Sequence, residues 1–118
     1  PFIQYGYARI CSLIEKADSF SSFDHNNFEL SEKELEVIKS LSSFEEIIKQ
    51  AARELSPSVL ANYLFGLVKT YNSFYQDCPI IRELNQDLKL FRLSLSSLTA
   101  RVLFNGMSIL GIELPRRM

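Results

Sequence analysis

A chain of 118 residues, 47% of them hydrophobic, is enough for one domain around one buried core. Four glycines and four prolines leave long uninterrupted stretches, which favours helices over a strand-and-turn protein, and no apolar run approaches the roughly 20 residues of a membrane span. The net charge of −1 argues against a protein that holds nucleic acid by bulk charge, yet residues 1–60 carry six basic against ten acidic side chains and residues 61–118 seven against four, so the two halves can present different faces to an RNA.

The chain opens on Pro1 directly into a periodic segment, with no signal-peptide pattern, and reads as a piece of a longer protein. Residues 2–17 form a predicted helix whose apolar stripe is Ile3, Gly6, Ile10, Leu13 and Ala17. A polar loop rich in Ser, Asn and Asp follows over about 18–29. Ser31 and Glu34 have the spacing of a capping box, in which hydroxyl and carboxylate satisfy each other's orphan N–H groups, and Leu35, Ile38 and Leu41 continue that helix. Ser42-Ser43 breaks it. A second capping box, Ser43 with Glu46, is expected to start a helix with Ile47, Ile48, Ala51 and Leu55 inward.

Ser56-Pro57 supplies the next start, since proline is harmless where the N–H has no partner, and Leu60, Leu64, Leu67, Val68, Tyr71 and Tyr75 mark the helix that Pro79 ends. The last helix is expected to bury Leu84, Leu88, Phe91, Leu95, Leu98, Val102, Asn105 and Ile109 in a heptad-like seam, with Asn105 fixing register. Gly111 is its predicted stop and Pro115 prevents continuation. The fold expected is all-α, a bundle of five or six helices forming one domain over 1–118, with residues 1–17 as the helix leading in from a preceding domain.

Catalytic and metal chemistry find little footing. His25 lies in the polar loop beside Asp24 and two asparagines, where nothing holds it as a base. Cys11 and Cys78 have no His or Cys neighbours at ligand spacing and read as two reduced thiols, with no metal site expected. There is no phosphate-binding Gly-rich loop and no nucleophile elbow.

Binding is better supported. A second stripe on the first helix, Phe2, Tyr5, Arg9, Ser12 and Lys16, sets two aromatics and a guanidinium on one face, which suits unpaired bases that stack on flat rings and present phosphates to cations. The same spacing also suits Phe2 and Tyr5 packing on a neighbouring helix with Arg9 paired to a carboxylate. On the last helix Lys89, Arg92, Ser96 and Thr99 form one polar stripe, and Ser94, Ser97, Arg101 and Ser108 another. Either is a passable phosphate face, or a solvated side of a bundle.

Read in order, PFIQYGYARICSLI (1–14), ELEVIKSLSSFEEIIKQAA (34–52), VLANYLFGLVKTYNSFYQDCPI (59–80) and FRLSLSSLTARVLFNGMSILGIELPRRM (91–118) resemble the C-terminal anticodon-binding domain of arginyl-tRNA synthetases, the DALR domain. The last block, with its terminal Arg-Met, is the most specific. The resemblance implies an all-helical module that binds the anticodon loop of arginine tRNA, with the anticodon pocket at Phe2, Tyr5, Arg9, Tyr75 and Met118; Arg92, Arg101 and Asn105 match family positions too, where a structural role and an RNA contact are both open. It departs from the family at Gly6-Tyr7, where Ala-His is common, and at Phe91, where a small residue is usual. The class I signatures for ATP are absent. The resemblance therefore implies a cytoplasmic, monomeric parent arginine–tRNA ligase whose catalytic domain, in cis, uses ATP and magnesium, while this segment binds no cofactor and positions tRNA. A helical protein-interaction module fits the composition and periodicity as well. The anticodon-binding domain of a related class I enzyme such as the cysteinyl synthetase is a third reading, against which the QYGYAR segment and the terminal Arg-Met speak.

Overall fold

Five α-helices and one short 3-10 turn make up a computed structural model that describes residues 1–17 and 22–117. In chain order they are α1 (Phe2–Lys16), the 3-10 turn (His25–Asn27), α2 (Glu32–Ser42), α3 (Phe44–Glu54), α4 (Pro57–Asp77) and α5 (Gln86–Ile109). No strand occurs among the described residues. The all-helical expectation is met, with a small difference in count: α2 and α3 are joined through the single residue Ser43, so that pair taken as one bent rod leaves four.

The axis of the bundle is α4, which packs against all four other helices. Leu60, Leu64, Leu67, Val68, Tyr71 and Phe74 are its buried face, and the predicted start, Pro57 in the first turn after Ser56, is present. Gly6 of α1 faces Val68. A Cβ there would lie 2.7 Å from Val68 Cγ1, so α1 approaches α4 more closely than any other residue type permits without a shift. Buried along α1 are Gly6, Tyr7, Ala8, Ile10, Cys11 and Leu13, which leaves the Phe2–Tyr5–Arg9–Ser12–Lys16 stripe exposed.

The capping box of α2 is formed as expected: Ser31 N–H donates to Glu34 Oε1 at 2.8 Å, and Glu34 N–H to Ser31 Oγ at 3.3 Å. The second box is not. Ser43 is itself helical (φ −84°, ψ −9°), so its hydroxyl reaches back to the Lys39 carbonyl instead of forward to α3. One inward assignment, that of Leu55, also fails. It closes α3 in the left-handed region at φ 50° and is 89% exposed. On α2, Leu35 is exposed and Val37 lies in the core.

The seam expected on α5 is the largest correction. Leu84 precedes the helix and is exposed, and Leu98, Asn105 and Ile109 face outward. The helix buries eleven of its 24 residues because α1, α2 and α4 all cover it, so no single stripe describes it. Its inward polar side chains satisfy themselves locally. Ser96 Oγ donates to the Arg92 carbonyl at 2.8 Å and Thr99 Oγ1 to the Leu95 carbonyl at 2.8 Å. Tyr71 OH donates to Ser96 Oγ at 2.7 Å, and burial pushes its phenol pKa up. The helix stops where predicted, with Gly111 at φ 78°.

Of the expected 18–29 loop, residues 18–21 lie outside the described residues. The remainder is pinned to α5: Asp87 accepts from the Asp24 N–H at 3.0 Å and from Asn27 Nδ2 at 2.6 Å. Phe23 and Phe28 pack on Phe91, with ring centroids 5.6 and 5.4 Å away. Phe91 is thereby part of an aromatic cluster. Both cysteines are buried and free.

Candidate nucleic-acid interface

The exposed stripe of α1 meets α4 along a line of paired side chains, because the two helices run side by side through Gly6 and Val68. At its start Phe2 packs on Phe65, ring centroids 4.7 Å apart, and remains 39% exposed. Tyr5, 59% exposed, has no ring partner among the described residues. One turn on, Arg9 is held by two groups of α4. Its Nη1 donates to Asn72 Oδ1 at 3.2 Å, and its guanidinium carbon lies 4.9 Å from the centre of the Tyr75 ring. Tyr75 also packs on Tyr71, centroids 6.2 Å apart, so its ring is fixed from the core as well as by Arg9.

Phe2, Tyr5, Arg9 and Tyr75 are thus brought to one face of the bundle, though not into one pocket. A cleft of about 190 Å³ is lined by Phe2, Tyr5, Gly6, Arg9 and Asn72. A groove of about 670 Å³ continues from it between Tyr5, Arg9, Ser12, Glu15, Arg116 and Arg117. Tyr75 faces a third hollow of about 180 Å³, with Leu13, Pro79, Ile80, Ile81 and Arg82. Arg9 lines the first two. Among the described residues Arg9 pairs with no carboxylate, while Phe2 does pack on a neighbouring helix.

The C-terminal tail completes this face. After Gly111 the Ile112 N–H donates to the Met107 carbonyl at 2.8 Å, and Leu114 is buried in the core. From that anchor Arg116 and Arg117 reach the Glu15 carboxylate at 3.6 and 3.9 Å. Met118 lies outside the described residues.

Arg92, for which the sequence leaves a structural role and an RNA contact both open, is buried. Its Nε donates to Glu34 Oε2 at 3.2 Å, and its Nη1 to the Pro79 carbonyl at 2.6 Å and to Glu83 Oε1 at 3.0 Å. It ties α5 to the α2 cap and to the loop under Tyr75. The stripe with Ser96 and Thr99 is consequently no phosphate face. Arg101 and Asn105 are exposed on α5. Arg101 lines a shallow depression with Ser94, Ser97 and Leu98, separate from the α1 face.

Sequence reasoning missed Asn72, Phe65, Glu15, Arg116 and Arg117. The spacing of Phe65, Asn72 and Tyr75 at helical steps was a usable signal for α4, and the adjacent terminal arginines were another. Among the described residues no three His, Cys, Asp or Glu side chains converge as metal ligands, and no helix is long and apolar enough to cross a membrane.

Residues 3–118 match the family described as the DALR anticodon binding domain. The chain is 48% identical to the arginine–tRNA ligase of Bacteroides fragilis over 122 residues, covering 100% of this chain and 20% of that protein. It is 43% identical to the arginine–tRNA ligase of Methanocaldococcus jannaschii, covering 100% of this chain and 21% of that protein. Among solved structures it superposes on Thermus thermophilus arginyl-tRNA synthetase with a TM-score of 0.92 at 32% identity, over 100% of this chain and 21% of that one. The chain spans about a fifth of the length of the curated relatives it matches.

Proposed function

The chain belongs to the DALR anticodon-binding domain family, and from that footing we propose that it is the anticodon-reading domain of an arginine–tRNA ligase. On this reading the remainder of the parent joins arginine to tRNA with ATP and magnesium. The observation that carries this to particular residues is the exposed Tyr5–Arg9–Tyr75 arrangement, in which a guanidinium held by Asn72 and an aromatic ring borders one groove while that ring faces a hollow of its own.

The chemistry suits a single-stranded loop. Unstacked bases gain roughly 1–3 kcal/mol each from an aromatic partner, and Tyr5 and Tyr75 offer rings fixed by helices. Arg9 supplies planar donors to a base edge or phosphate beside them. Residues 1–17 lead in from the catalytic portion, and Met118 adds a thioether at the end of the tail. The net charge of −1 makes stacking and shape outweigh long-range attraction, so the salt dependence of tRNA binding is shallow for an RNA binder.

The test uses the full-length enzyme. Arg9→Ala and Tyr75→Ala are expected to lower aminoacylation efficiency on whole tRNA while arginine activation stays nearly unchanged. Normal charging by both variants, or equal loss of activation, contradicts the assignment.

A further inference from the structure

Among the described residues, the groove beside Tyr5 is lined by three guanidiniums, from Arg9, Arg116 and Arg117, and one carboxylate, Glu15. We propose that Glu15 is a placeholder for an RNA phosphate: it occupies the Arg116–Arg117 pair in the free domain and gives the pair up when RNA enters the groove. The inference rests on the reading of this face as RNA-binding and assigns a specific role within it.

The geometry is that of a displaceable anion. Each carboxylate oxygen of Glu15 faces a different arginine, Oε1 to Arg116 Nη2 at 3.6 Å and Oε2 to Arg117 Nη2 at 3.9 Å. A phosphate likewise presents separate oxygens to two guanidiniums, at hydrogen-bonding distance and with its full charge. Both pairs are longer than a hydrogen bond, and the side chains are 43%, 68% and 87% exposed for Glu15, Arg116 and Arg117. Such contacts are held loosely and exchange readily.

The tail is nonetheless in place before RNA arrives. Gly111 reverses the chain, Leu114 anchors it in the core, and the arginines follow two and three residues later. Leu114 alone sets the arginines over the groove, and Glu15 adds only a weak counter-charge to them, a carboxylate that opposes any incoming phosphate. An anion that touches the tail alone must displace Glu15 for little return, whereas a loop that also stacks on Tyr5 and meets Arg9 gains enough to do so. Glu15 thereby trades affinity for selectivity toward RNA that engages the whole face.

The test measures dissociation constants of the full-length enzyme for an arginine tRNA transcript. Glu15→Gln is expected to tighten binding about fivefold, and the gain is expected to vanish in an Arg116→Ala/Arg117→Ala background, where no pair remains to release. Glu113→Gln removes the same charge from the exposed tail, is in neither ion pair, and is expected to leave affinity nearly unchanged. No change or a weakening with Glu15→Gln, equal tightening by Glu113→Gln, or a gain that survives loss of both arginines overturns the inference. Its failure is distinguishable from failure of the underlying reading. If Arg9→Ala and Tyr75→Ala weaken tRNA binding while Glu15→Gln does nothing, only the placeholder role is lost. If all three leave binding intact, the face is not an RNA surface.

Discussion

Arg9 and Asn72 are joined by a hydrogen bond of 3.2 Å from Nη1 to Oδ1, which aims the Arg9 guanidinium at the Tyr75 ring one turn further along α4. A guanidinium over an exposed ring gains only about 0.5–1 kcal/mol, too little to fix a long side chain alone, so Asn72 makes the arrangement a defined one. Asn72→Ala is expected to change domain stability by less than about 1 kcal/mol and to lower aminoacylation efficiency in the same direction as Arg9→Ala. Unaltered charging by Asn72→Ala, measured beside Arg9→Ala, would show that Arg9 needs no such support.

The contact of Gly6 with Val68 sets the distance between the two helices that carry the face. Val68 is buried and β-branched, so it cannot swing away from an added methyl. Overpacking costs about 1–3 kcal/mol and the better helix propensity of alanine returns about 1. Gly6→Ala is therefore expected to destabilise the domain by about 1 kcal/mol in urea melts. Combining it with Val68→Ala should cost less than the two single changes added together. Full additivity would mean that the two positions do not touch.

Arg92 tests structure against binding on α5. Removing its side chain leaves the fully buried Glu34 without its counter-charge and takes a donor from Glu83 Oε1 and from the Pro79 carbonyl. Breaking a buried pair of this kind costs about 3–5 kcal/mol, so Arg92→Ala should lower stability by that order, and Arg92→Lys should recover only part, because one ammonium cannot reach three partners in a plane. A stable Arg92→Ala domain with weakened tRNA binding would restore Arg92 as an RNA contact.

These cases mark what the sequence discloses. Starts and stops were legible at Ser31–Glu34, Pro57 and Gly111, because caps depend on residues close in the chain. The exposed side of α1 was legible too, since one face of a short helix is buried and the other is not. The inner face of α5 was not, because three helices cover it and its serine and threonine hydroxyls bond to their own backbone, which lets polar residues sit inside. Likewise Ser43–Glu46 has the spacing of a capping box, yet the chain never leaves helical geometry at Ser43. The long-range partners Asn72, Glu15 and the terminal arginines required the packing of α1 on α4 and the return of the tail, which no local pattern specifies.

A pH response follows from Asp87. The Asn27 side-chain amide first, and the Asp24 backbone N–H second, hold its carboxyl below the usual carboxylate range. A folded-state pKa below the unfolded one means that the stabilisation is present above the ordinary value and is lost as pH falls through the folded one. Contacts of residues 22–30 with α5 should therefore loosen below about pH 4, seen as faster exchange of the Asn27 side-chain amide. Asp87→Asn should abolish that transition. Its persistence in the variant would assign it to another group.

Whether this face reads anticodon bases is decided by the coupling between Tyr75 and individual anticodon nucleotides. Aminoacylation efficiency would be measured for the wild-type enzyme and Tyr75→Ala, each with intact tRNA and with tRNAs made abasic at one anticodon position at a time. A base stacked on Tyr75 contributes about 1–3 kcal/mol. For at least one position, therefore, either change alone should produce the loss and the combination should add little to it. If the losses multiply at every anticodon position, Tyr75 holds none of those bases and the α1–α4 face is not the reader.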